Sequence, residues 1–130
     1  MNDTHLKSFV KGFIEGSKDD THFDVDGERV CASSFEFTEA AEQTLRKVAE
    51  TFASKHSALI SQAVSNRSDF DYYDAGRALW FSQVGEGCGF WDQDLGVVGD
   101  QLESNAQALG SYEVCLTENK MLSVGAAVID

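Results

Sequence analysis

Proline is absent from this chain of 130 residues, and cysteine and histidine number three each. Without proline, turns and helix ends have to be read from glycine and from the Asp, Ser and Thr residues that cap helices. Cys31, Cys88 and Cys115 are an odd set with no CxxC pair and no histidine close by. That excludes a disulfide framework and a zinc site from the sequence reading, and leaves reduced thiols as the simplest account. Long apolar runs are missing as well: none approaches the ~20 residues needed to span a bilayer, and MNDTHLKSF has no apolar core of a signal peptide. The expectation is a soluble protein, not exported by such a signal.

Basic residues are the other scarcity. Ten Lys and Arg stand against 22 Asp and Glu, for a formal net charge of −12. Residues 1–68 carry eleven acids and eight bases, a net of −3, whereas residues 69–130 carry eleven acids against Arg77 and Lys120, a net of −9. Phosphate contacts need Lys and Arg, so direct nucleic-acid binding is excluded as an expectation. Such a charge suits a solubilising surface, or an acidic face that meets a basic partner.

What is present reads as one domain with an ordinary apolar content of 42%. Leu6, Phe9, Val10, Phe13 and Ile14 form a helical stripe, with Asp3 or Thr4 as its cap and Gly16 as its end. Asp19–Glu28 has spaced acids, but His22 and Ser33 would fall at the first and twelfth positions of a calcium loop, so the match fails. A two-residue hairpin at Asp26–Gly27 fits better, pairing Asp24 with Arg29 and Phe23 with Val30. Thr38 opens the longest helix, expected to run to about Val64, with His56 on its apolar stripe. Ser65–Asp74 reads as a polar connector in which Asp69, Asp71 and Asp74 alternate with Phe70, Tyr72 and Tyr73.

The stretch Ala75–Gly96, AGRALWFSQVGEGCGFWDQDLG, then concentrates two tryptophans, two phenylalanines and five glycines. Ala78–Val84 has strand composition, Gly85–Gly89 a flexible turn, and Phe90-Trp91-Asp92 a return strand. Its turn lacks a lysine and contains Glu86, which excludes a phosphate-cradling loop. Asp94 is placed to cap a third helix carrying Leu95, Val98, Leu102, Ala106 and Leu109, ended by Gly110. Tyr112–Leu116 and Met121–Val124 flank a turn at Glu118-Asn119-Lys120, and the last residues form an edge strand or a tail. The fold class expected is α+β: an antiparallel sheet of hairpins packed against a long central helix and two shorter helices, residues 1–130 forming a single domain.

Ala75–Gly125 resembles a family of small uncharacterised proteins of bacteriophages and prophages, whose central motif reads approximately AGHDFWLTRNGHGAGFWDRGLG. Ala75-Gly76, Trp80, Gly85, Gly87, Gly89-Phe90-Trp91-Asp92 and Leu95-Gly96 match it without a gap. The family's His-Asp pair is Arg77-Ala78 here, its second histidine is Glu86, and its two arginines are Gln83 and Gln93. The glycine–aromatic framework is kept, and the groups suited to acid–base work or phosphate binding are not. The resemblance implies a phage or mobile-element origin and hence the host bacterial cytoplasm.

No Ser/His/Asp or Cys/His arrangement is suggested locally. Glu86, Asp92 and Asp94 could form a carboxylate cluster, but Asp92 and Asp94 are equally explained as helix-start residues. The expectation is therefore a non-enzymatic protein with no catalytic residues, metal or cofactor. It would bind and inhibit a host defence nuclease or CRISPR effector through that protein's basic surface, in the anti-CRISPR or antirestriction manner, as a nucleic-acid mimic. The expected contact residues are Asp69, Asp71, Tyr72, Tyr73, Asp74, Glu86, Asp100 and Glu103. The alternatives are a regulator of another host protein acting through the aromatic patch, and a carboxylate- or metal-dependent enzyme. An open sheet edge or an uncovered apolar stripe would favour a homodimer.

Overall fold

The computed structural model describes residues 1–85 and 87–126. Helix α1 (Asp3–Asp19) is followed by the hairpin β1 (His22–Val25) and β2 (Glu28–Cys31) and a 3-10 turn over Ala32–Ser34. Helices α2 (Glu39–Lys55), α3 (Ser57–Asn66) and α4 (Tyr72–Val84) come next. A second 3-10 turn (Phe90–Gln93), helix α5 (Val97–Gln107) and the hairpin β3 (Tyr112–Leu116) and β4 (Leu122–Ala126) complete the described chain. The class is α+β, as the pattern of elements predicts, but the strands make two separate antiparallel pairs rather than one sheet. No helix among the described residues is long and apolar enough to cross a membrane. Glu86 and the last residues, 127–130, lie outside the described residues.

The hairpins follow the sequence closely. Asp26 and Gly27 both take positive φ, 52° and 84°, as a two-residue turn of this kind requires, and Asp24 pairs with Arg29 and Phe23 with Val30. In the second hairpin Tyr112 faces Ala126 and Leu116 faces Leu122. Leu122 also bridges to Phe37 just ahead of α2, through Thr38 N–H to Leu122 O at 2.9 Å and Leu122 N–H to Glu36 O at 2.8 Å.

The helices depart from expectation in several places. Asn2, not Asp3 or Thr4, caps α1: its side chain accepts from His5 N–H, and His5 Nδ1 accepts from Asn2 N–H. Gly16 does not end α1 but lies buried inside it, against Arg77. The long helix from Thr38 breaks at His56, whose φ of −120° and ψ of 26° leave the helical region and turn α3 onto α4 and α5. Thr38 does cap α2, accepting from Ala41 N–H at 3.1 Å.

The largest departure is Tyr72–Val84, which is helix rather than connector and strand. Asp71 and Asp74 start it reciprocally: Asp71 Oδ1 accepts from Asp74 N–H at 2.8 Å and Asp74 Oδ2 from Asp71 N–H at 3.1 Å. This helix is the central one, packed against α1, α3, α5 and the second 3-10 turn. Its small residues Ala75, Gly76 and Ala78 are buried and let it lie backbone to backbone on α1. A Cβ on Gly76 would overlap the carbonyl oxygen of Phe9, and one on Gly12 the carbonyl oxygen of Tyr73. Strand propensity in LWFSQV loses to that close fit, because propensity is weak beside tertiary packing.

The core runs through the aromatics. Phe9, Phe52 and Phe90 stack with ring centroids 6.4 and 6.2 Å apart, joining α1, α2 and the second 3-10 turn. Phe13 meets Trp80 edge-on at 5.8 Å, and Trp80 is 2% exposed with its indole N–H donating to Asp20 Oδ2 at 3.1 Å. Each aromatic pair adds about 0.5–1.5 kcal/mol beyond its buried area. Phe90 thereby anchors the glycine-rich turn to the core.

Candidate functional site

The turn that follows α4 is built from the glycine–aromatic framework. Gly85 closes α4 in the left-handed region, φ 75°, and Cys88 also has positive φ, 73°. Asp92 Oδ2 accepts from Cys88 N–H at 3.1 Å, and Gln93 Nε2 donates to Cys88 O at 2.9 Å, so the turn is tied back on itself. Asp94 takes a left-handed φ of 56° and leads through Gly96 into α5, which has no side-chain cap. The expected capping of the third helix by Asp94 is therefore corrected: a residue in the left-handed region, three positions ahead of Val97, forms the turn before the helix.

Beneath the turn lies a buried polar network. Glu103, on α5, is 8% exposed; its Oε1 accepts from the Ser82 hydroxyl at 2.6 Å and from Trp91 N–H at 3.3 Å. Its Oε2 accepts from Gln107 Nε2 at 2.9 Å. Ser82 Oγ accepts in turn from Phe90 N–H at 2.9 Å. A Cβ on Gly89 would sit 2.7 Å from Ser82 Oγ and 2.9 Å from Glu103 Oε1, so a glycine is needed there for the network to close. Gln83 Nε2 donates to Gly110 O at 3.0 Å, while its buried Oε1 has no partner.

On the other side of the turn is a cleft of about 320 Å³ between α4, the 67–70 segment and the turn itself. Phe70 and Phe81 give it apolar walls, and Arg67, Asp69, Asp74, Arg77, Cys88 and Gln93 its polar lining. Arg67 makes a two-pronged bond to Asp69, 2.6 Å from Nε to Oδ1 and 3.1 Å from Nη2 to Oδ2. Its Nη1 donates to Gln93 O at 2.7 Å and to Gln93 Oε1 at 3.2 Å. Arg77 donates to Asp19 Oδ2 at 2.6 Å and lies over the Phe81 ring. The Arg67 hydrogen bond holds the Asp69 carboxyl below its usual range, whereas burial raises that of Asp74, against the hydrogen bond from Asp71. Burial and the hydrogen bond to Glu15 raise the Tyr73 phenol.

The expected contact residues are only partly a surface. Asp71 and Asp74 cap α4, and Asp69 is held by Arg67. Tyr72 stacks on His5 at 4.1 Å and donates to Ser61 Oγ at 3.1 Å; Tyr73 donates to Glu15 Oε1 at 2.9 Å. Glu103 is corrected outright from a contact residue to an internal acceptor, because Ser82, Trp91 and Gln107 converge on it. Glu86 lies outside the described residues. Asp100 is exposed, in the first turn of α5.

The sequence reading missed Trp91. Its backbone is fixed by Glu103, yet the residue is 58% exposed, and Val97 six residues on is 71% exposed. Asp92, Asp94 and Asp100 are exposed in the same ten-residue stretch. The signal was available: two consecutive aromatics, Phe90 and Trp91, face opposite sides in the expected strand, so one of them already points outward.

Among the described residues no group of three or more His, Cys, Asp or Glu side chains could hold a metal ion. The described arrangement offers exposed acids and an exposed indole, and a cleft in which Arg67 is paired with Asp69, Arg77 with Asp19, and Asp74 with the Asp71 backbone. Comparison of the chain with protein-family models, with curated proteins and with solved structures finds no match in any of the three.

Proposed function

We propose that this chain is a non-enzymatic binding protein of a bacteriophage or mobile element. It occupies the basic surface of a host nucleic-acid-processing protein and inhibits it, in the anti-CRISPR or antirestriction manner. The observation that carries this reading is the charge: residues 69–130 hold eleven acids against Arg77 and Lys120. A partner evolved to hold phosphates presents Lys and Arg, and carboxylates on a rigid scaffold release counterions from it as nucleic acid does. The cleft charges support a binding role over catalysis, since Arg67–Asp69 and Arg77–Asp19 are engaged as structural pairs.

The exposed indole of Trp91 favours a second reading, a regulator of another host protein anchored by an aromatic contact. The two separate by salt. Tagged protein is used to capture partners from bacterial host lysate, with washes at low and then high salt and mass spectrometry of the eluates. The inhibitor reading expects a nuclease or CRISPR effector retained at low salt and lost at high salt. Recovery of no nucleic-acid-processing protein at either salt refutes it, and a salt-resistant partner of another kind favours the regulator.

A further inference from the structure

We infer that the partner-contacting surface is centred on the Trp91 indole and the adjoining start of α5, not on the 69–74 segment where the acids and tyrosines are densest. The inference deepens the proposed binding role and rests on it. The occupant is a protein surface with an apolar slot rimmed by Lys and Arg.

The 69–74 segment is tied into the fold, although Asp69 and Asp71 are exposed. Asp69 is bonded by both oxygens to Arg67, and Asp71 and Asp74 satisfy backbone N–H groups at the start of α4. The Arg67 guanidinium offsets the charge of Asp69, and the half-buried Tyr72 and Tyr73 give their hydroxyls to Ser61 and Glu15. The Asp92–Asp100 stretch differs by the apolar side chains exposed beside its acids, Trp91 and Val97. Asp94 and Asp100 are exposed, and Asp92 uses one oxygen on Cys88 N–H.

The apolar part of the surface is equally specific. Trp80 shows that this fold buries a tryptophan where it can, at 2% exposure with its N–H satisfied. Trp91 stays 58% exposed although its own backbone is pinned to Glu103, one turn along α5 from Asp100. Val97, 71% exposed, lines with Leu59 and Asp100 an open depression of about 500 Å³ beside the helix. An exposed Trp on a rigid turn, an exposed Val and three exposed carboxylates within ten residues are the composition of an interface anchor with an acidic rim. The acidic rim disfavours nucleic acid and anionic membrane and favours a cationic protein surface.

The test uses Trp91 emission, since buried Trp80 is already shielded from solvent. The probes are a synthetic Lys/Leu amphipathic peptide, its Glu/Leu counterpart, and vesicles of anionic phospholipid. The expected result is a saturable blue shift with the Lys/Leu peptide, absent with the Glu/Leu peptide and absent in Trp91→Phe. The triple variant Asp92→Asn, Asp94→Asn, Asp100→Asn keeps an acceptor for Cys88 N–H and a side chain tolerated at positive φ. It should bind the Lys/Leu peptide at least about tenfold more weakly, by analogy with rim charges lost from a steered interface. A control triple, Asp24→Asn, Glu113→Gln and Glu118→Gln, removes the same charge from exposed positions on the two hairpins and should change affinity less than about threefold, as screened distant charges do.

Equal losses in the two triples overturn the inference in favour of bulk charge. No shift with the Lys/Leu peptide, or a shift with vesicles instead, overturns it as well. Repeating the lysate capture with Trp91→Ala separates the two levels of the argument. A basic partner held equally by wild type and Trp91→Ala refutes this surface and leaves the binding role standing. A partner held by wild type and weakened at least about thirtyfold by Trp91→Ala supports both. No partner for wild type refutes the binding role, whatever the peptide shows.

Discussion

Replacing Gly76 by Ala should destabilise the protein by about 2–4 kcal/mol, against the usual preference for alanine in a helix. On propensity alone the change gains ~1 kcal/mol. At Gly76, however, the added Cβ overlaps the backbone carbonyl oxygen of Phe9 and lies 2.9 Å from Phe13 N, and neither is the far end of a flexible side chain. Relief requires α1 and α4 to part by roughly an ångström, since non-bonded contacts settle near ~3.5 Å. A gap of about 0.5–1 Å forfeits a quarter to a half of the dispersion well of each pair across it. The pairs in question include the packing of Phe13 on Trp80. Overpacking of this kind costs about 1–3 kcal/mol by itself, and the lost contacts add to it. Gly16→Ala is the internal control: its Cβ would stand 3.3 Å from Arg77 Cα, so strain and propensity roughly cancel. The assay is urea unfolding followed by far-UV circular dichroism, with the slope checked for constancy. A Gly76→Ala protein as stable as wild type, or more stable, would refute the backbone-contact account of the α1/α4 crossing.

Glu103→Ala should cost about 1–3 kcal/mol, because it strands the buried Ser82 hydroxyl and removes the acceptor of the part-buried Trp91 N–H, while the exposed Gln107 amide can turn to water; Glu103→Gln should cost less, and urea titrations compare the two. For Asp74, burial puts the folded-state pKa above the unfolded one, so its contribution favours the fold at low pH and is lost as pH rises through the raised value. Asp74→Asn keeps an acceptor for Asp71 N–H. Its melting temperature should match or exceed wild type at pH 7, with the difference shrinking below about pH 4. Asp69 is shifted the opposite way, chiefly by the Arg67 hydrogen bond, so the stability it lends is present at neutral pH and lost as pH falls through its lowered pKa. In Arg67→Ala the melting temperature should therefore fall relative to wild type at pH 7, with the gap narrowing at acid pH.

The fold was legible wherever one local rule decided the outcome. Asp26-Gly27 between two short β-rich runs leaves little alternative to a tight hairpin, and its register came out residue for residue. Thr38 with the apolar spacing behind it sets α2 in the same way. Legibility ended where packing decided. Nothing in LRKVAETFASKHSALI marks His56 as a break, for there is no proline or glycine there. The bend follows from where α4 and α5 stand, with the His56 ring 4.7 Å from Phe52 and near Asn105. Likewise Tyr72–Val84 shows no clean helical stripe, because α4 is packed by helices on several sides and buries Ala75, Leu79, Trp80 and Ser82 alike. A helix buried on most of its surface loses the periodicity by which a helix is read.

The candidate site was legible in its overall charge and not in the role of each carboxylate, for one physical reason. A carboxylate counts the same in a net charge whether it caps a helix, holds a guanidinium, sits in a buried network or faces water. Asp71-x-x-Asp74 ahead of Ala75 has the spacing of a reciprocal cap, and Arg67-x-Asp69 the spacing of a local ion pair, so these structural roles were readable before the fold was known. That of Glu103 was not, since only the arrival of Ser82 and Trp91 on the same side of α5 makes it internal. Asp92, Asp94 and Asp100 are exposed acids close in sequence to the exposed Trp91. The net charge thus gives the sign of the surface, and the hydrogen bonds show which carboxylates also hold the fold together.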